Sequence, residues 1–222
     1  MRTLHHHWLS AGARKVRIAL KEKDLDFEAT IEKPWEARPE FLALNPAGDV
    51  PVLVEPHGTV LADAQAICEF LEEVYPQRPL MPRDAPARAE VRRLVGWFDG
   101  KFGREVTDNL VGEKMIKRMT RRETPNSALI RTGLSALRHH LDYIGHLAER
   151  RRWLGGEDFS LADIAAAAHL STVDYIGDVP WSEFDAAKDW YARIKSRPSF
   201  RTILADHVPG APPPAHYADL DF

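Results

Sequence analysis

Apolar and polar positions alternate with two different periods along this chain, and the change falls about a third of the way in. Thr3–Leu9, rich in His, Leu and Trp and closed by Ser10-Ala11-Gly12, predicts a first strand. Ala13–Lys23 places Val16, Ala19 and Leu20 at helical spacing, with Arg and Lys between them. Phe27–Glu32 predicts a second strand. Pro34–Pro46 is broken by prolines and predicts an irregular segment with a short helix around Glu40–Leu44. Val50–Glu55 predicts a strand interrupted by Pro51, Pro56-His57-Gly58-Thr59 a tight turn, and Val60–Ala62 the returning strand. Asp63–Tyr75 is an amphipathic helical pattern stopped by Pro76. The order is β-α-β-(α)-β-β-α.

Pro76, Pro79, Pro82 and Pro86 mark a linker over 76–86. Beyond it only helical patterns occur: Ala87–Met119, Ser127–Arg151, Leu161–Ile176, and Asp185–Ser196, the last ended by Arg197-Pro198. The expected organisation is an α/β domain over 1–75, an all-α domain over 87–205, and a proline-rich spacer with a terminal tail over 206–222. Pro209-Gly210-Ala211-Pro212-Pro213-Pro214 predicts an extended segment that resists collapse onto the domain.

The 222 residues are 44% apolar and 28% charged, ordinary for a soluble protein with a packed core. Cys68 is the single cysteine, so no internal disulfide is expected. No apolar run reaches the roughly 18 residues that span a bilayer, and the first residues lack the apolar stretch of a signal peptide. The expected address is the cytoplasm, with no membrane insertion. Residues 1–80 hold 9 basic and 13 acidic residues, 81–153 hold 16 and 9, and 154–222 hold 5 and 11. A basic middle section thus lies between two acidic ends. It reads either as a solvated helix face or as a surface that steers an anionic partner.

Candidate chemistry is sparse. His5, His6 and His7 are adjacent, but neighbouring strand residues face opposite sides, so a shared metal site is not expected. Cys68 falls on an apolar helix position and reads as a buried structural thiol. No Gly-rich phosphate loop occurs. The basic residues lack the aromatic interleaving of a nucleic-acid surface, so no nucleic-acid partner is expected. Ser10, just before a helix, suits either a cap or anion stabilisation. Ser160 followed by Asp163 has the spacing of a capping box, a structural device.

Five segments, in order, resemble the glutathione S-transferase superfamily: Ser10–Leu20, Asn45–Leu53, Leu61–Leu71, Phe159–Ala165 and Trp190–Phe200. The resemblance spans about residues 4 to 203 and implies a thioredoxin-like α/β N-terminal domain followed by an all-α C-terminal domain. It implies a cis peptide at Val50-Pro51 that turns the residue 50 backbone toward a ligand. It also places Ser10 where serine-type members keep the hydroxyl that favours the glutathione thiolate. The chain departs from the family at Asp63-Ala64, where Glu-Ser usually anchors the γ-glutamyl carboxylate. Losing one hydrogen bond to a charged group costs roughly 1.5–3 kcal/mol, so Val50, Pro51, Asp63 and Ala64 are expected to form a vestigial site. Glutathione is expected to bind weakly or not at all, and no other cofactor is expected.

Both chain ends carry a narrower resemblance. Leu4–Ser10 and the terminal Tyr217-Ala218-Asp219-Leu220-Asp221-Phe222 are similar to the FzlA family, transferase-like division proteins of alphaproteobacteria that bind FtsZ. That resemblance implies a homodimer acting on FtsZ filaments at the division site without transferase activity. An active serine-type transferase is the alternative. The expected partner-binding residues are Lys114, Lys117, Arg118, Arg121 and Arg122 in the basic section, and Tyr217, Asp219, Leu220, Asp221 and Phe222 in the tail.

Overall fold

The computed structural model describes residues 1–222 apart from Arg122 and Asp221. The N-terminal domain runs β1 (Arg2–His6), α1 (Ala11–Glu22), β2 (Phe27–Ile31), α2 (Pro39–Leu44), β3 (Val52–Val54), β4 (Val60–Ala62) and α3 (Ala64–Val74). The strands form one mixed sheet in the order β2-β1-β3-β4. β1 runs parallel to β2, with Leu4 opposite Ala29, and antiparallel to β3, with Leu4 opposite Leu53. Leu4 and Leu53 are fully buried and seat the sheet on the core. The Val50-Pro51 peptide is cis, as the resemblance implies. β1 ends three residues before the sequence pattern suggests. The Ser10 amide donates to the His7 carbonyl at 3.0 Å, so the chain turns there, and His6 and His7 are buried in the turn.

The C-terminal domain is helical. α4 (Ala85–Gly96) continues without a break through Trp97–Ile116, a stretch with wide i→i+5 turns, into α5 (Lys117–Thr120). α6 (Ser127–Ala148), α7 (Leu161–Tyr175), α8 (Asp185–Lys195) and the short α9 (Arg201–Leu204) follow. Every residue of α7 is buried. A helix enclosed on all sides needs its end groups satisfied internally, and the Ser160–Asp163 capping box does this: Ser160 Oγ accepts from Ala162, and the Asp163 carboxylate accepts from the Ser160 amide at 3.1 Å. Asp163 also accepts from the Leu154 amide at 2.8 Å and the Trp190 indole at 3.0 Å.

α1 joins the domains through charged side chains that the sequence shows only as interruptions of an apolar stripe. Arg14 is fully buried, donating to Trp8 O, to Ser171 Oγ at 2.8 Å and to the Tyr217 hydroxyl at 3.1 Å. Arg17 donates to Asp206 at 2.7 Å, and Glu22 accepts two bonds from Arg197 at 2.7 Å each. Lys15, also fully buried, pairs with Asp99.

The tail corrects one expectation. Instead of standing off from the domain, it folds back onto it. Tyr217 is fully buried, its ring edge-on to Tyr175, its hydroxyl donating to the Ile203 carbonyl at 3.1 Å. The half-buried Phe222 ring meets Trp181 edge-on and lies 3.7 Å beneath Lys195 Nζ. The physical reason is the aromatic surface formed by Tyr175, Trp181 and Tyr191: covering it with two rings outweighs the stiffness of the proline segment.

Candidate functional site

A cleft of about 360 Å³ opens between the two domains. The loop after β1 supplies His7, Leu9 and Ser10; the segments before α2 and β3 supply Trp35, Asp49 and Val50; the wide-turn segment and α7 supply Thr107, Asp108, Val111 and His169. Ser10 caps α1: its Oγ accepts from the Ala13 amide at 3.1 Å and donates to the Val50 carbonyl at 3.4 Å. The hydroxyl therefore caps the helix, the first of the two roles the sequence left open, and lies at the cleft wall. A Cβ on Gly12 would lie 3.2 Å from Ala64 Cβ and 3.4 Å from Pro51 Cδ. Ser10, Val50, Pro51 and Ala64 thus converge on the N-terminal turn of α1.

At the start of α3, Asp63 has φ 75°, a left-handed conformation that costs a non-glycine residue energy and is retained where local contacts demand it. Its Oδ1 accepts from the Gln65 amide at 2.8 Å and the Ala66 amide at 2.9 Å. The chain's own carboxylate therefore occupies two amides of the first turn, the donors an anionic ligand would seek there. Ala64 presents a methyl group where the family resemblance implies a hydroxyl.

Two histidines on the N-terminal side are held neutral. Burial, reinforced by the Arg17 charge, lowers the His6 pKa to about 3. Burial and Arg14 lower that of His7 to about 4. Among the described residues no group of His, Cys, Asp or Glu is arranged to hold a metal ion. Cys68 is buried, and burial pushes its thiol up to about 12, so it is no nucleophile at neutral pH.

The basic section meets the proline segment in a second groove of about 550 Å³, lined by Lys114, Met115, Arg118, Tyr175, Ile176 and Gly210–Pro214. Its lysines are already paired. Lys114 Nζ contacts Asp178 at 2.6 Å, and Lys117 Nζ contacts Glu113 at 3.0 Å and Glu123 at 2.9 Å. Arg118 and Arg121 are exposed, without an ion pair among the described residues. In the tail Asp219 and Leu220 are exposed, Leu220 at 44%, whereas Tyr217 is core. Tyr217 is thereby corrected from a docking residue to a structural one, because its ring and hydroxyl are both satisfied inside the molecule. Arg122 and Asp221 lie outside the described residues. The residues missed by sequence reasoning are Thr107, His169 and Asp99. No local motif marks them, since Thr107 and His169 are 62 positions apart.

The comparisons follow the geometry. Residues 9–74 match the family model of the glutathione S-transferase N-terminal domain, and residues 120–193 that of the C-terminal domain. FtsZ-localized protein A of Caulobacter vibrioides is 53% identical, covering 100% of this chain and 98% of the relative. A crystal structure of a glutathione S-transferase from Rhodospirillum rubrum is 56% identical with a TM-score of 0.98, covering 100% of both chains. The structure of FzlA from C. crescentus is 53% identical with a TM-score of 0.97, covering 100% of this chain and 99% of that one.

Proposed function

From the premise that this chain belongs to the glutathione S-transferase family, in its cell-division branch, we propose that it binds FtsZ filaments as a homodimer at the division site and does not conjugate glutathione. The observation that carries the reading is full-length identity of 53% to FtsZ-localized protein A. The surface that supports it is narrower than the sequence alone implied: Arg118 at the proline-lined groove, the exposed Arg121, and Asp219 and Leu220 at the chain end. Co-sedimentation with GTP-polymerised FtsZ tests it. Absence of the protein from the filament pellet at micromolar concentration rejects it.

A working transferase is the second reading. Ser10 Oγ at the cleft and the Val50 backbone beside it favour that reading. Asp63 on the α3 amides and the methyl group of Ala64 oppose it. Calorimetry with glutathione separates the two, since micromolar affinity would restore the enzyme.

A further inference from the structure

The helical wall of the cleft carries a hydroxyl, an imidazole and a carboxylate in series. Thr107 Oγ1 lies 2.8 Å from His169 Nδ1, and His169 Nε2 lies 3.5 Å from Asp99 Oδ1. Asp99 is held on its other oxygen by the buried Lys15, which also donates to Gln65 Oε1 at 2.8 Å. Burial works against charge on Asp99, but His169 and Lys15 outweigh it and keep the carboxyl below its usual range. A carboxylate facing Nε2 draws the ring proton to that nitrogen. Nδ1 then presents its lone pair to Thr107, whose hydroxyl is the donor. The opposite wall holds His7, buried to 3% exposure, whose Nδ1 accepts from the Leu9 amide at 3.3 Å and whose Nε2 has no partner. The proton therefore sits on Nε2, which the surrounding protein encloses and keeps from the open cleft.

We propose that Thr107, His169 and Asp99 form an acyl-transfer site in this cleft, taking small uncharged activated acyl compounds such as aryl esters and thioesters. The site needs neither filament binding nor glutathione, and it shares the cleft with Ser10 and Val50. Asp49 and Asp108 on the cleft walls disfavour anions, while Leu9, Trp35 and Val111 favour an apolar acyl or aryl group. Thr107 Oγ bonds to the carbonyl carbon as its proton passes to His169 Nδ1, and the carbonyl electron pair moves to oxygen. Asp99 stabilises the imidazolium and remains ionised. The pair returns, the bond to the leaving group breaks, and His169 gives its proton to that group. Water, deprotonated by His169, then releases the acid from the acylated threonine and restores the hydroxyl.

Full-length protein mixed with p-nitrophenyl acetate is the test, read by p-nitrophenolate release and by peptide mass spectrometry. An acetyl group mapped to Thr107 is expected. Thr107→Val and His169→Gln are expected to lower turnover roughly a hundredfold, the scale of a lost general base. Thr107→Ser keeps the hydroxyl and is expected to retain turnover, which guards against a variant that simply misfolds. Release from Thr107→Val at the wild-type rate, acetylation confined to lysines, or turnover no faster than free imidazole overturns the proposal.

Discussion

Ala64 is the residue on which the expectation of weak glutathione binding rests. It stands at the first helical position of α3, packed over Gly12. Restoring a hydroxyl there with Ala64→Ser adds one hydrogen bond to a charged carboxylate, worth roughly 1.5–3 kcal/mol. Glutathione affinity measured by calorimetry is therefore expected to rise about tenfold or more over the wild type. An unchanged affinity would assign the weakness to Asp63, whose carboxylate already satisfies the Gln65 and Ala66 amides. Tyr217 is the counterpart on the stability side. Tyr217→Ala empties a fully buried ring site and removes one acceptor from Arg14. The loss is expected to be about 3–5 kcal/mol, as for other large aromatic truncations, and urea unfolding measures it.

At the scale of elements, the end of β1 makes the fold sensitive to acid. His6 and His7 have folded pKa values of about 3 and 4, below the ordinary 6.5. Their unfolded forms bind protons that the native forms refuse, so stability is complete above pH 6.5 and falls as pH drops through 6 toward 4. Each contributes a slope of up to roughly 1.4 kcal/mol per pH unit in that range. Urea midpoints at pH 7 and pH 4.5 are expected to differ clearly in the wild type and less in His6→Gln. The tail behaves as an element too. Removing 216–222 takes Tyr217 out of the core, so this deletion cannot separate binding from stability. Ending the chain after Tyr217 keeps that ring and removes the exposed Asp219 and Leu220 together with the half-buried Phe222. That truncation is expected to keep a folded protein by circular dichroism and to reduce recovery with FtsZ filaments.

At the scale of the whole molecule, binding to a polymer depends on how many weak contacts act together. A two-fold dimer would present two tails and two copies of the Arg118 and Arg121 surface, and avidity would raise filament affinity well above that of one contact. Light scattering at micromolar concentration is expected to give twice the chain mass of 25.1 kDa. Reversal of Arg118 and Arg121 to Glu is expected to weaken co-sedimentation and to flatten its salt dependence, because these arginines have no ion pair among the described residues. Reversal of Lys117 is expected to cost stability as well, since it breaks contacts to Glu113 and Glu123.

What the sequence determined by itself is local. Periods of two and 3.6, proline breaks and a Ser–x–x–Asp spacing specify the order of strands and helices, the two domains and the cap of α7, because each depends on residues within a few positions of one another. The family segments around Ser10, Pro51 and Asp63 were readable for the same reason. Only the tertiary structure decided the rest. Arg14, Lys15 and Arg17 look like surface charge in the sequence, yet they are buried because Ser171, Asp99 and Asp206 arrive from the other domain to pair with them. The tail reads as a free spacer, yet Tyr217 is core because an aromatic surface more than 20 residues upstream receives it. Thr107, His169 and Asp99 carry no motif, and they meet because α7 is enclosed against the wide-turn segment. Burial and charge pairing across long separations are properties of packing, and no window along the chain contains them.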